Sequence, residues 1–175
     1  MKITAILVES LDGLITQGSN PNIYNWTSLE DTQQFFIKIA AANLIIMGSQ
    51  TYLTAKSKII SKPGTLRIVL TSQPEKFVTE TVPHQLEFIN LTPEKLVLEL
   101  ENRGYSSALL VGGSTTLTSF LNANLVSELK ITLEPIMLGS GKPLAQKLIT
   151  EKKLKLKNWQ KLNIQGTLIL NYIVV

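Results

Sequence analysis

The sequence predicts one α/β domain in which helices pack in layers on a sheet. Short apolar runs typical of buried strands alternate along the chain with segments whose apolar residues recur at helical spacing. The 175 residues are 44% hydrophobic and 17% charged, which suits a compact fold and argues against disorder. No repeat, low-complexity tract or linker interrupts the pattern. We therefore expect residues 1–175 to form a single domain.

The amino-terminal part of the chain predicts a buried strand, a long loop and a helix. Residues 3–8 are apolar apart from Thr4, as in a strand that is buried on both faces. Residues 11–28 are rich in turn-forming residues, and a loop of this length in a compact domain is usually functional. Ser28 is a favourable capping residue for a helix over residues 30–42, which carries two acids near its positive end.

The rest of the chain continues the alternation. Thr92 and Pro93 predict the start of a helix, since threonine caps helices and proline favours their first position. Further helices are expected after Gly48, where a short one ends near residue 56, and over residues 114–121. The last two strands can pair as a hairpin across residues 163–166. Strands are predicted at residues 44–47, 67–70, 87–91, 108–111, 125–133, 154–159 and 167–175.

Charge and composition exclude several classes of function. The net charge is +4, and the densest basic stretch, residues 152–161, alternates lysine with leucine as in a strand with one wet face. Trp159 is the one aromatic residue in this stretch, whereas a nucleic-acid site interleaves several aromatic residues with its basic ones. Without cysteine, and with the single histidine His84 in a polar stretch, the sequence predicts no metal site. No apolar run approaches the roughly 18 residues of a membrane helix, so we expect a cytoplasmic protein.

Three predicted strand ends share one design that suits a phosphate-bearing ligand. At residues 47–51, 70–72 and 111–116 an apolar run passes into small or hydroxyl residues, usually before a helix. Ligands of open α/β sheets bind outside the carboxyl ends of strands, where free helix amides attract anions. A single glycine turn is usually only a turn, but three of them favour an extended ligand.

The candidate acids are Asp12, Glu30 and Asp31. Asp12 precedes Gly13 in a standard turn sequence, so turn formation is its expected role. Glu30 and Asp31 can both stabilise the amino end of the predicted helix. Asp31 has a second interpretation, because Phe35 lies one helical turn further on the same face and Trp26 lies five residues earlier. A carboxylate beside aromatic side chains suits a flat, nitrogen-rich ring.

The order of these motifs resembles that of dihydrofolate reductases. The segment Ser127–Thr132 and the Pro135–Gly141 segment after it are similar to the wider superfamily that includes the reductase domain of riboflavin synthesis. The resemblance spans nearly the whole chain. The motifs that carry it are residues 6–8, 12–15, Trp26, Asp31 with Phe35, 46–52, 63–64, 68–72 and 111–113.

The resemblance implies a three-layer fold with a mostly parallel, twisted sheet of about eight strands, flanking helices and a C-terminal antiparallel hairpin. It also implies hydride transfer from NADPH, with Asp31 bonding the substrate ring and assisting its protonation. The implied substrate-binding residues are Ile6, Val8, Trp26, Phe35 and Arg67. The implied cofactor-binding residues are Val8, Ile15, Gly48, Ser49, Gln50, Thr51, Leu70, Thr71, Ser72, Val111, Gly112, Gly113, Ser114, Thr115 and Thr116.

The resemblance leaves three functions open. The Asp31 and Phe35 pair and the bare Val111 before the double glycine favour dihydrofolate as the substrate. Residues 10–15 and 26–31 are more typical of reductases that act on the ribosylamino-pyrimidine of riboflavin synthesis, which often pair as homodimers. Ser49 and Thr65 stand where dihydrofolate reductases have arginines, which keeps a non-catalytic nucleotide-binding protein open. The expected partner is therefore a small pterin or pyrimidine, with no nucleic acid and no membrane.

Overall fold

The computed structural model describes residues 1–175, which form one eight-stranded sheet with helices on both faces. The strands are β1 (Lys2–Ser10), β2 (Leu44–Gly48), β3 (Leu66–Leu70), β4 (Leu86–Ile89), β5 (Ser107–Leu110), β6 (Glu128–Glu134), β7 (Leu154–Lys161) and β8 (Leu168–Val174). The helices are α1 (Leu29–Ala41), α2 (Ser49–Ala55), α3 (Pro93–Asn102) and α4 (Ser114–Asn122). Short 3₁₀ segments lie at Ile23–Asn25, Lys56–Lys58 and Pro74–Glu80.

The strand order across the sheet is β4-β3-β2-β5-β1-β6-β8-β7. The strands from β4 to β6 are parallel, whereas β8 runs antiparallel to both β6 and β7. The turns that follow β1, β2, β3 and β5 therefore lie along one edge of the sheet. This arrangement confirms the predicted fold, including the C-terminal hairpin.

Successive residues of a strand point to opposite faces of the sheet, and their side chains pack in two separate cores, one on each face. Ile46 and Ile68 belong to the larger core, which includes apolar residues of α3 and α4 such as Leu96 and Phe120. The neighbouring strand positions, such as Ile45, pack in the smaller core with residues of α1 and α2. The predicted three layers are thus present, and the central strands are apolar throughout because both of their faces are covered.

The main departure from the expected elements is the edge strand β7. Its eight residues are all exposed, including the leucines that the alternating pattern assigned to a buried face. The strand itself was predicted correctly. Its apolar face is uncovered, since Leu154, Leu156 and Trp159 are all exposed. None of the helices is both long and apolar enough to cross a membrane.

Candidate active site

A cleft of about 190 Å³ opens beside the carboxyl half of β1. It lies between α1, α2 and the loop that follows β1. Apolar side chains line most of its wall, and the polar groups are few, as is usual for small-molecule sites. The lining residues are Ile6, Leu7, Val8, Ile15, Thr16, Pro21, Ile23, Tyr24, Asp31, Thr32, Phe35, Gln50, Thr51, Thr54, Ala55, Val111 and Lys142.

Asp31 is the buried acid of this cleft, with only 7% of its surface exposed. Burial raises its pKa from the ordinary aspartate value to about 6. The negative charge of Glu134 raises the pKa further, and a hydrogen bond with Thr132 acts in the opposite direction. Asp31 therefore exchanges its proton near neutral pH, which is a property suited to acid catalysis.

The first turn of α1 fixes the position of Asp31. Ser28 caps the helix, and its Oγ accepts a hydrogen bond from the amide of Asp31 at 3.3 Å. Phe35 follows one turn later, and both side chains line the cleft. Helical spacing and a capping residue are local features, so the shared position of Asp31 and Phe35 could be predicted from the sequence.

Glu134, the last residue of β6, lies beneath the same helix end and is 3% exposed. One carboxylate oxygen accepts hydrogen bonds from the Ser28 amide and the Ser28 hydroxyl, each at 2.7 Å. The other oxygen accepts one from the Thr167 hydroxyl at 2.7 Å. Glu134 has no local sequence signal, because its partners come from distant parts of the chain.

A second cavity lies on the other side of Asp31, between α1 and the strands β6, β7 and β8. Ile6, Asp31 and Phe35 line both this cavity and the cleft, so the two are adjacent. The second cavity contains Lys38 and Lys130, neither of which forms an ion pair. Burial and the nearby charge of Lys38 lower the pKa of Lys130. Its other polar lining residues are Gln34, Thr132, Gln160 and Asn171.

Two of the three predicted turns meet at the edge of the sheet. The Gly48 amide donates to the Gly112 carbonyl at 3.1 Å, because β2 and β5 are neighbours. A Cβ on Gly48 would collide with the Thr116 hydroxyl, and Gly112 has a φ of +94°, which favours glycine. Both glycines are therefore required by close packing and backbone conformation.

The start of α4 provides free polar groups beside these turns. Gly113 gives the helix no side-chain cap, so its first amides lack the partner that a capping residue would supply. The Ser114 hydroxyl is buried without a hydrogen-bond partner. Gln50 and Thr51 of the adjacent α2 line the cleft. These groups fit the phosphates of a dinucleotide, for which amides at a helix start and small residues are the usual ligands.

The loop after β1 is fastened to the segment that follows β6. The Asp12 carboxylate accepts hydrogen bonds from the Ser10 hydroxyl at 2.6 Å and from the amides of Leu138 and Gly139 at 3.0 and 2.8 Å. These bonds lower the pKa of Asp12 to about 2, with the Ser10 hydroxyl contributing most. Asp12 thus forms the turn that was expected of it and also anchors a second segment, which brings Lys142 to the cleft.

Eight of the residues predicted for the site line the cleft, and the others lie elsewhere. Trp26 lines a separate cavity beside Glu134, with its indole nitrogen buried and unpartnered. Arg67 is 6% exposed within β3 and does not reach the cleft. The predicted residues in the cleft are Ile6, Val8, Ile15, Asp31, Phe35, Gln50, Thr51 and Val111. Those in the nearby turns but outside its lining are Gly48, Ser49, Leu70, Thr71, Ser72, Gly112, Gly113, Ser114, Thr115 and Thr116.

Several lining residues were not expected from the sequence. They include Lys142 in the cleft and Lys38 and Lys130 in the second cavity. Glu128, Lys130 and Thr132 are every second residue of β6 and alternate with apolar residues. This alternation was the available sign that one face of the strand meets a polar space. The chain contains no group of three or more histidine, cysteine, aspartate or glutamate side chains arranged to hold a metal ion.

Comparison with known families identifies the chain. A model of the RibD C-terminal domain matches residues 1–167, which is nearly the full length. The chain belongs to the RibD C-terminal domain family. Its relatives include two proteins of Bacillus subtilis (strain 168). YyaP is 26% identical over 166 residues, which are 90% of this chain and 87% of YyaP. YwjB is 30% identical over 115 residues, covering 65% of this chain and just under two thirds, 64%, of YwjB.

Solved structures of low sequence identity share the fold of this RibD C-terminal domain. A Shewanella sp. PV-4 protein assigned to riboflavin biosynthesis superposes with a TM-score of 0.80 at 19% identity, covering 100% of this chain and 99% of that one. Thermotoga maritima diaminohydroxyphosphoribosylaminopyrimidine deaminase/5-amino-6-(5-phosphoribosylamino)uracil reductase gives 0.75 at 14%, covering 99% and 56%. Dihydrofolate reductase from Enterococcus faecalis, complexed with NADP(H), gives 0.66 at 16%, covering 99% and 96%. The riboflavin-type structures are therefore more similar than the dihydrofolate reductase.

Proposed function

We propose that this protein is an NADPH-dependent reductase of a ribosylamino-pyrimidine of the riboflavin-synthesis type. The observation that carries the proposal is Asp31, a buried acid with a pKa of about 6 at the junction of the cleft and the cationic cavity. Membership of the RibD C-terminal domain family supports the same reaction class. The proposal replaces dihydrofolate, the substrate that the motifs favoured, with the alternative that the relatives favour.

The groups at the edge of the sheet suit NADPH, which would supply the hydride. The first amides of α4 and the Ser114 hydroxyl would hold its phosphates. Val8 and Ile15 would exclude water from the reacting ring, because both are buried side chains that line the cleft. The dihydrofolate reductase of the same fold carries NADP(H), which supports this choice of cofactor.

Asp31 would hold and deliver the proton that accompanies the hydride. In its protonated form it donates a hydrogen bond to a ring nitrogen or carbonyl, and Phe35 offers an apolar surface for the ring. With a pKa of about 6, the acid loses its proton as the pH rises through that value. Turnover should therefore fall as the pH rises through about 6 if proton delivery limits the rate.

The lysine-lined cavity supports a substrate with an anionic substituent. Neither Lys38 nor Lys130 forms an ion pair, and their like charges repel each other across this cavity unless an anion joins them. The Thermotoga maritima reductase takes its name from a phosphoribosylamino-pyrimidine. If the phosphate of such a substrate bound these lysines, its pyrimidine ring would lie beside Asp31.

The first test is NADPH oxidation with two substrates, 5-amino-6-(5-phosphoribosylamino)uracil and dihydrofolate. We expect turnover with the pyrimidine and a loss of about 10²- to 10⁴-fold in kcat for Asp31→Asn, the usual contribution of a general acid. The matched control is Glu30→Gln, which removes the adjacent, exposed acid and should retain full activity. Turnover with dihydrofolate alone would instead favour the second candidate, which the Asp31 and Phe35 pair in one cleft supports.

The lysines give the substrate assignment a test of its own. Lys130→Met should raise the KM for the phosphorylated pyrimidine by about tenfold or more while changing kcat little, because a charged contact to the phosphate is worth over 1 kcal/mol. The dephosphorylated substrate should be unaffected by the same change. An equal rise in KM for both substrates would refute the phosphate contact. Binding of NADPH without turnover of either substrate would leave a non-catalytic nucleotide-binding protein.

A further inference from the structure

The buried carboxylate of Glu134 is a second acid at the candidate active site, and the cleft chemistry does not use it directly. It lies outside the cleft lining and forms no ion pair, yet it is 3% exposed. A buried charge is expensive unless several donors satisfy it. Three donors do so here, the Ser28 amide and the hydroxyls of Ser28 and Thr167, each at 2.7 Å.

These bonds connect Glu134 to Asp31 through one atom. The Ser28 hydroxyl donates its proton to Glu134, and the same oxygen accepts the Asp31 amide at 3.3 Å. With its proton directed at Glu134, the hydroxyl presents its lone pairs to the helix start. Glu134 therefore determines the orientation of the Ser28 hydroxyl, which caps the helix and accepts the hydrogen bond from the Asp31 amide.

The strand β6 holds the first turn of α1 at two points. Residues two apart on a strand point to the same face, so Thr132 and Glu134 both face the helix. Thr132 lies beside Asp31, with which it lines the second cavity, and Glu134 accepts a hydrogen bond from Ser28. On its far side Glu134 is bonded by Thr167, which also accepts a hydrogen bond from Asn163 at 2.9 Å in the hairpin turn.

We propose that Glu134 is a positioning residue for the reaction: it clamps the amino end of α1, and with it Asp31, between β6 and the C-terminal hairpin. Its negative charge also favours the protonated form of Asp31. The inference rests on the proposed function, in which Asp31 is the acid. Other charged or titratable groups also face the space around Asp31. Lys130 of β6 and Lys38 of α1 line the second cavity, and Lys142 and Tyr24 line the cleft. Of all these groups, Glu134 is the charge that raises the pKa of Asp31.

The sequence makes a direct test practical because Asp12 and Asp31 are its only aspartates. Selective ¹³C labelling of aspartate carboxyls gives two resonances that can be titrated by NMR in the protein without substrate. Asp12, with a pKa of about 2, and Asp31, with a pKa of about 6, are well separated. The titration is independent of turnover, so its outcome does not depend on the choice of substrate.

Glu134→Gln keeps the shape of the side chain and removes its charge. We expect the midpoint of Asp31 to fall towards the ordinary aspartate range, and the alkaline limb of the pH profile to move in the same direction. The matched control is Glu128→Gln on the same strand and face, where the carboxylate pairs with Lys2 and Lys157 at the surface. An Asp31 midpoint that is the same in both variants would overturn the inference.

Glu134→Asp separates the two roles and serves if the glutamine variant does not fold. It keeps the negative charge but withdraws the carboxylate from Ser28 by one methylene group. The new aspartate adds a third labelled resonance, which is absent from the wild-type spectrum and is identified by that difference. We expect the Asp31 midpoint to stay high while kcat falls at every pH. Full activity in this variant would overturn the positioning role. If the midpoint moves as expected in Glu134→Gln but no substrate is reduced, the reductase assignment fails while the coupling between the two acids stands.

Discussion

The ionisation of Asp31 lowers the stability of the folded protein, and the proposed role of Asp31 as the acid explains why the residue is retained. Its pKa of about 6 is above the value of an unfolded aspartate, so the folded protein retains a proton that the unfolded chain releases. Stability therefore decreases as the pH rises from about 4 to about 6, and the full cost is present above that window. A buried acid kept for function at the expense of stability is common in active sites.

Replacing Asp31 with asparagine should consequently stabilise the protein at neutral pH. We expect the free energy of unfolding of Asp31→Asn to exceed that of the wild type by on the order of 2 kcal/mol above about pH 7, and to match it near pH 4. Urea denaturation at the two pH values measures the difference. The exposed neighbour variant Glu30→Gln should show no such dependence. A gain of equal size at both pH values would mean that packing, and not ionisation, is responsible.

Single residues were predictable where their partners are local. Asp31 and Phe35 share one helix face, and this spacing alone brings both to the cleft. Trp26 precedes the helix, so helical spacing does not apply to it, and it lies in the neighbouring cavity. Arg67 is buried in β3, pointing to the face opposite that of Ile68. Glu134 depends on partners 106 and 33 residues away, which no local pattern contains.

Among the elements, the turns after β2 and β5 are the most sensitive to substitution. Gly48→Ala should destabilise the protein by about 1–3 kcal/mol and weaken NADPH binding, because the new Cβ would collide with the Thr116 hydroxyl. The double variant with Thr116→Ala removes the colliding oxygen and should recover most of the stability. Thermal unfolding with and without NADPH measures both effects. A double variant no more stable than Gly48→Ala would show that the two turns do not meet in this way.

Element types were predictable from hydrophobic periodicity, whereas the environment of an element was not. Helix α1 begins and ends within one residue of its predicted bounds, because a capping serine and an apolar stripe define it locally. Strand β7 was also located correctly, but its leucines are exposed. Their burial depends on whether another layer covers that end of the sheet, and alternation alone does not contain this information.

At the scale of the molecule, the uncovered face of β7 predicts self-association. Leu154, Leu156 and Trp159 lie on one face of this strand and are 42%, 47% and 60% exposed. Contiguous exposed apolar residues on an edge strand favour pairing with another chain. We expect a homodimer in analytical ultracentrifugation and a monomer for Trp159→Lys combined with Leu156→Lys. Lys155→Gln, on the opposite face, should leave the dimer intact. A monomeric wild type would contradict the prediction.

The strand order could not be obtained from local patterns. Strands β2 and β3 are consecutive and adjacent, but β5 lies between β2 and β1, and β8 separates β7 from β6. Such crossovers depend on the global arrangement of helices and strands. The ordered combination of motifs, which resembles a known family, was the information that allowed the fold to be predicted as a whole.

The place of β1 in the sheet has a consequence for the synthesis of the chain. Both of its neighbours, β5 and β6, follow it by about a hundred residues, since Lys2 pairs with Ser107 and Thr4 with Glu128. A nascent chain on the ribosome therefore exposes this apolar strand, unpaired on both edges, until most of residues 1–175 have been made. Segments of this kind aggregate readily and are typical clients of chaperones. Strand β1, whose Ile6 and Val8 line the cleft, is thus also the strand with the longest interval between its own synthesis and that of its pairing partners.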